Sequence, residues 1–450
     1  MNNDTNQQRL FSNRYLAVLI IPLIAEQFLH ISLGLFDTLM VSSLGEASVS
    51  GVSLVDSISQ LFIFVFSAFC TGGAVVSSQY LGNREPAKGC VAAKQLLNTV
   101  VFISVTLMAI SLALRKQILD LIFGVIEPEV MAASLEYFWI LAISYPFLAM
   151  FNACTALYRA MGNSRTPLLL ALVMNVTNIA FNSLFIFWLD MGVSGAAFGT
   201  LVSRMISAAI MLVLICDLRK PIHIERIWRF EFHRDMVRRI LSIGVPSGIE
   251  NGMFHIGKLF VQGIIASFGT AQIAANAISS NICSMENIPG SAVGMAAVAI
   301  VGQCIGANEP GQAKYYSKKL LGIAFLSYLA TAPIFLLSRD WMIGLYHVSE
   351  HAAELSMILI GSHVVAGTLI WPLAFTLPNF LRAAGDAKFP MVVSLASMWV
   401  FRVGFSQVLG SSLGMGVVGV WLAMYIDWIC RSVFFVHRFR RGEWLKKRVI

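Results

Sequence analysis

The sequence predicts an all-α polytopic membrane protein of about twelve transmembrane helices, and three observations carry that prediction. Apolar residues make up 57% of the 450 positions and charged residues only 12%, with a mean hydropathy of +0.74, whereas a soluble domain carries about a quarter charged residues. Runs such as Thr99 to Leu114, Ser134 to Leu157, Thr166 to Leu189 and Leu320 to Leu337 are of the length that crosses roughly 30 Å of hydrocarbon as a helix. The third observation is a repeat: Pro22 to Leu97 lies on Pro246 to Leu321 at a constant shift of 224 without a gap, with 17 of 76 positions identical.

The repeat organises the chain. Pro22, Glu26, Gly45, Gln79, Gly82, Glu85 and Pro86 find Pro246, Glu250, Gly269, Gln303, Gly306, Glu309 and Pro310. Arg159, Gly162 and Pro167 return as Arg382, Gly385 and Pro390, and Gly192 to Gly195 returns as Gly416 to Gly419. Two homologous six-helix bundles are expected, residues 1–217 and 240–450, joined by a basic linker over 218–239. The period is far too long for a solenoid.

In chain order the expected spans are 14–42, 50–80, 90–114, 131–157, 166–189 and 193–217. The second copy gives 240–268, 275–304, 315–337, 354–380, 389–410 and 416–437. Backbone polar groups in lipid need internal partners, which leaves helices or a closed barrel, and these runs are too long and too uniformly apolar for barrel strands. Met1 to Arg14 is polar and the apolar run after it exceeds a signal peptide's core, so no cleaved leader is expected.

The first span carries Glu26, His30 and Asp37, separated by 4 and 7 residues, which places them on one face of a helix. Ionisable groups in hydrocarbon are costly and point to function, and a carboxylate–imidazole–carboxylate stripe suits proton or cation coupling. Asp56, in the second span, lies about as far after the 42–50 turn as Asp37 lies before it, and two carboxylates at one depth favour proton uptake. Asn175, Asn178 and Asn182 line one face of the fifth span, where they can hydrogen-bond across helices or to a ligand. In the seventh span Glu250 repeats Glu26, while Val261 and Phe254 replace Asp37 and His30. Lys258 adds a buried cation there, with Glu286 of the next span as its expected counter-ion.

Charge orients the chain. With a cytoplasmic N-terminus, 26 of the 32 basic residues fall on the cytoplasmic side, as the positive-inside rule requires. Both termini are therefore expected in the cytoplasm. The formal net charge of +8 belongs to a face that meets anionic lipid, and no recognition module supports a nucleic-acid partner. The seven cysteines are scattered, without a C-x-x-C pair or histidines at metal spacing, so no metal is expected. Gly252 to Lys258 resembles a phosphate loop only until Leu259, which stands where Ser or Thr would hold magnesium. Gly195 and Gly199, Gly248 and Gly252, and Gly290 and Gly294 have the spacing that lets helices approach closely.

The motifs Leu35 to Gly45, Gln79 to Gly82, and Arg159 to Gly162 with Pro167, together with their second-half counterparts, resemble the multidrug and toxic compound extrusion (MATE) transporters over nearly the whole chain. The resemblance implies two six-helix bundles forming a V around a central cavity, and export of organic, often cationic, compounds against protons or sodium. It places the coupling role on Asp37, with Glu26 and His30 beside it on the stripe. Asn182 stands where one branch of the family has an aspartate. Asp56, Asn178, Asn182, Glu250, Lys258 and Glu286 complete the candidate substrate or coupling cavity. A monomeric plasma-membrane antiporter with no cofactor beyond the coupling ion is the expectation. The alternatives are a lipid-linked saccharide flippase, for which only Arg204, Lys258 and Arg402 could form a cationic cavity, and a membrane enzyme, for which no H-E-x-x-H or similar constellation occurs.

Overall fold

The computed structural model describes residues 9–124, 126–225, 229 and 231–450, with backbone alone at Leu35. Most of the polar N-terminal stretch, Met1 to Gln8, and Arg226, Ile227, Trp228 and Phe230 of the basic linker lie outside the described residues. Among the described residues the secondary structure is entirely helical.

The first copy comprises α1 (Asn13–Ser42), α2 (Glu46–Gly82), α3 (Pro86–Phe123), α4 (Pro128–Ile143), α5 (Tyr145–Ala160), α6 (Arg165–Ser183) and α7 (Gly192–Ile215). The second comprises α8 (Arg234–Ala266), α9 (Thr270–Glu286), α10 (Ile288–Gly306), α11 (Pro310–Gly344), α12 (Glu350–Trp371), α13 (Leu377–Ala384), α14 (Lys388–Ser397) and α15 (Gly416–Arg441). Each of the twelve expected spans falls on one helix or on a run of consecutive helices. Among the described residues, by length and hydropathy alone, ten helices can cross a bilayer, and α4 with α5, bent by 47°, makes an eleventh.

The breaks have local causes. Pro146 and Pro289 open α5 and α10 at positions where a missing N–H costs nothing. Span eight is thereby divided, leaving only Ile288–Gly306 long and apolar enough by itself. Glu250, Asn251, His255 and Lys258 lower the hydropathy of α8. Wide π-turns at Leu184–Trp188, Pro372–Thr376, Met398–Gly404 and Ser406–Ser412 extend α6, α12 and α14. Such turns insert a residue into the helical ladder and recur at functional sites.

The chain forms two compact units. One contains Ile21–Gly248; the other contains Ile249–Ile450 with the described residues up to Ile20. In the first, α2 packs so closely on the start of α8 that a Cβ at Gly72 would lie 2.5 Å from the Ile240 carbonyl oxygen. In the second, the Tyr316 hydroxyl bonds both the Phe11 N–H and its carbonyl, at 2.8 and 2.7 Å, which ties the start of α1 to α11.

The internal repeat holds at the level of backbone angles. Gly45 before α2 has φ 100 and ψ 169; Gly269 before α9 has φ 95 and ψ 168. That region is open only to glycine. Glu85 and Glu309 cap α3 and α11 with φ/ψ of −114/64 and −113/70, each followed by a proline in the first turn. The preceding residues, Arg84 and Asn308, share a positive φ of 59 and 58.

The described part of the linker is docked on the first copy. Gln95 on α3 donates to the Glu231 carbonyl at 2.7 Å and accepts from the His233 N–H at 3.1 Å. Lys94 pairs with Glu231 at 3.3 Å, and Ile224 N–H bonds the Ile215 carbonyl at 3.0 Å. Non-helical backbone at a helical surface needs such partners, and one glutamine supplies two of them.

Candidate functional site

In the N-terminal unit a polar relay joins α1, α6 and α7. The Asn182 amide donates to Asp37 Oδ1 at 2.7 Å and to Asn178 Oδ1 at 3.2 Å, and Asn178 donates to Thr200 Oγ1 at 3.3 Å. Asn178 and Asn182 are both 1% exposed, while Asp37 is half-buried. The side-chain oxygen of Asn182 has no partner among the described residues. Gly199 makes the arrangement possible: a Cβ there would overlap that oxygen and lie 2.8 Å from the Asn182 backbone nitrogen. The π-turn Leu184–Trp188 begins two residues after Asn182.

Asp56 and Arg204 belong to the same neighbourhood. Tyr137 donates to Asp56 at 3.5 Å, Arg204 donates to Ser144 at 2.7 Å, and Asp37, Asp56 and Arg204 lie within electrostatic reach of one another. The two carboxylates, expected at one depth, thus share an electrostatic neighbourhood with Arg204 of α7. Asn175, third in the asparagine row, donates instead to the Leu29 carbonyl at 2.8 Å, holding α6 on α1.

Glu26 and His30 do not join Asp37 in a chain. Glu26 is buried and ion-paired with Arg159 of α5. His30 is exposed and makes no hydrogen bond among the described residues. The same pair recurs in the second unit, where Glu250 meets Arg382 at 2.6 Å and accepts from Ser394 at 2.7 Å. A carboxylate–guanidinium pair repeated in both copies reads as scaffold, since each buried charge requires its partner. Both members of each pair recur in the sequence near the same shift, so the signal was present there.

The C-terminal unit carries a different constellation. The expected Lys258–Glu286 pair is not formed. Lys258 lies 5.7 Å from the centroid of Phe254, one turn back on the same helix. Glu286 lies 3.8 Å from His363 of α12, both buried, and neither makes a hydrogen bond among the described residues. The ligand atoms of Cys283, Glu286 and His363 lie within 4.8 Å of one another, a donor set able to hold a metal ion. Linear spacing did not reveal it, because His363 comes from a distant helix.

Beside this cluster lies a cavity of roughly 220 Å³, walled by Phe254, Trp371, Phe375, Trp421 and Trp428 and lined also by Lys258, Arg402 and His363. Trp371 and Phe375 stack at 5.1 Å, and Trp428 meets Phe375 and His363 edge-on at 5.7 and 5.3 Å. Behind it Arg431 pairs with Asp427 at 2.8 Å, and Ser397 donates to the same carboxylate. Arg402 sits on the π-turn Met398–Gly404. Val261 is buried in apolar packing where the first copy has Asp37.

A two-unit bundle of membrane-crossing helices, with a polar relay in one unit and a charged aromatic cavity in the other, is the architecture of a transporter. The MatE family model matches residues 22–184 and again 246–408, in the register of the internal repeat, and the chain belongs to this family. An uncharacterized transporter, YisQ of Bacillus subtilis, is 27% identical over 95% of this chain and 94% of its own length. A probable multidrug resistance protein NorM of Thermotoga maritima is 25% identical over 96% and 93%. Among solved structures, an outward-facing MATE multidrug transporter of the MOP superfamily superposes with a TM-score of 0.89 at 20% identity, covering 96% of both chains. A MOP superfamily transporter from Pyrococcus furiosus, described by a reversed polarity of its binding pocket, gives 0.88 at 20% identity, again covering 96% of both. The fold is thus the polytopic, all-α fold of the MATE transporters.

Proposed function

We propose that the protein is a secondary active exporter that moves organic compounds out of the cell against an inward flow of protons or sodium, with Asp37 as the coupling residue. It works as a monomer in the plasma membrane with both termini in the cytoplasm, needs no cofactor beyond the coupling ion, and catalyses no covalent chemistry. The observation that carries this reading is the 2.7 Å hydrogen bond from Asn182 to Asp37 and the relay behind it.

An amide suits a carboxylate that changes its charge. Asn182 donates to Asp37 when the acid is ionised, and with its amide turned over its oxygen, without a partner among the described residues, accepts when the acid carries a proton. Asp37, Asn178, Asn182 and Thr200 each carry a side-chain oxygen, the ligand type that hard cations such as sodium prefer. Occupancy at Asp37 changes what α1 bonds to, and therefore which of two states is favoured, provided ion and cargo bind the two states differently. Two homologous repeats rocking about a midplane site give alternating access.

The test is dye efflux from vesicles with sodium and pH gradients imposed separately, comparing the intact chain with Asp37→Asn. Gradient-driven efflux should fall to background in the variant. Unchanged efflux would remove Asp37 from the coupling role.

A further inference from the structure

The cavity of the C-terminal unit has a polarity of its own. Lys258 and Arg402 line it, and among the described residues its lining contains no aspartate or glutamate. Among the described residues neither cation has an ion-pair partner: of the buried carboxylates of this unit Asp427 pairs with Arg431, Glu250 with Arg382 and Asp386 with Arg438, while Glu286 lies against His363 at the cavity's edge. The Lys258 ammonium and the Arg402 and Arg431 guanidiniums gather about one ring, 5.7, 5.6 and 5.1 Å from the centroid of Phe254. Asp427, paired with Arg431 and within electrostatic reach of Arg402, offsets part of this charge, and the group stays net positive.

The unsatisfied atoms point the same way. Arg402 Nε, Arg431 Nη2 and Trp428 Nε1 are buried donors without an acceptor among the described residues, and of the nearby acceptors Asp427 Oδ2 and the two Glu286 oxygens are also without a partner, none of them in the cavity lining. A donor left unpaired away from water is costly, and the oxygens of a bound anion would satisfy these groups. The walls are aromatic, and the volume, roughly 220 Å³, fits a single substituted ring.

We infer that this cavity binds an organic anion: an apolar or aromatic body bearing a carboxylate, sulfonate or phosphate, its charge held by Lys258 and Arg402 and its body by the tryptophan and phenylalanine walls. The inference rests on the exporter reading only in making this anion a cargo. The binding itself needs no coupling. Arg402 owes its placement to the π-turn Met398–Gly404, and Lys258 to its position one turn after Phe254.

The experiment is equilibrium titration calorimetry on the full chain in nanodiscs of phosphatidylcholine, with salicylate as the anionic probe and benzyltrimethylammonium as the cation of similar size. The intact protein should prefer salicylate by at least about tenfold, and Lys258→Met and Arg402→Met should each weaken it by about tenfold or more, since each removes a charge-assisted contact. Lys258→Arg should restore binding to within about threefold by keeping the charge. Lys258 is exposed to the cavity, so its variants decide the matter even if Arg402→Met fails to fold. Tighter binding of the cation, or salicylate affinity unchanged in Lys258→Met, overturns the inference. Nanodiscs with about a fifth phosphatidylglycerol distinguish the source of the anion: competition with salicylate assigns the site to a lipid phosphate, and its absence assigns it to a soluble anion. No gradient is imposed, so the result is independent of Asp37→Asn.

Discussion

Asn182 and Asp37 meet at 2.7 Å between α6 and α1, and the Asn182 side chain occupies space that a Cβ at Gly199 would take. Asparagine supplies a donor that an aspartate there could not supply in its ionised form. Asn182→Leu should therefore leave Asp37 without its donor, at a cost of about 1–3 kcal/mol. Gradient-driven efflux should fall by about tenfold or more, while Asn182→Gln should keep part of it.

Gly199→Ala tests the same site from the other side. The added methyl displaces Asn182, and overpacking of this kind costs about 1–3 kcal/mol. Efflux should fall nearly as far as in Asn182→Leu, and combining the two substitutions should add little. Full additivity of the two losses would show that Gly199 acts elsewhere.

The Glu26–Arg159 and Glu250–Arg382 pairs should behave as structure. Removing one partner, as in Arg159→Met or Arg382→Met, leaves a buried charge and should destabilise by about 3–5 kcal/mol. The corresponding double variants, Glu26→Leu with Arg159→Met or Glu250→Leu with Arg382→Met, should recover most of that loss in thermal unfolding. Gradient coupling per folded molecule should stay close to that of the intact chain.

Gly45 and Gly269 offer a symmetric comparison. Both have backbone angles reserved for glycine, and nothing lies within 4 Å of an added Cβ at either. Alanine at each should therefore cost about 1–3 kcal/mol from conformation alone. The two substitutions should lower the unfolding temperature by similar amounts, and a strongly unequal effect would mean that one turn carries an additional role.

Much of the fold was legible in the sequence because a bilayer imposes a single strong pattern. A run of apolar residues of fixed length has few alternatives, and the twelve spans follow from it. The repeat was legible because Gly45 and Gly269, or Glu85 and Glu309, solve the same backbone problem with the same residue. What periodicity could not give was partnership. It placed Glu26, His30 and Asp37 on one face of α1, but not that Arg159 would take Glu26 or that Asn182 would take Asp37. It placed Lys258 and Glu286 in adjacent spans, but not the rotation that sets one on Phe254 and the other against His363. The π-turns around Arg402 left no trace in hydropathy, since one inserted residue changes the face without changing the composition. Gly248 and Gly252 have the spacing of a close contact, yet nothing approaches a Cβ at Gly252, while Gly290 and Gly294 seat Trp371 and Asn379.

The acid-free lining around Lys258 and Arg402 has an energetic consequence for a cell whose interior is electrically negative. An elementary charge crossing the membrane exchanges about 2.3 kcal/mol with each 100 mV of potential. A cargo bearing one negative charge therefore leaves such a cell electrically downhill, whereas a cationic cargo must climb the same step. With an anion as cargo in that cavity, membrane voltage itself would become a driving force for export, and an ion coupled at Asp37 would serve more to set the order of the cycle than to supply its power.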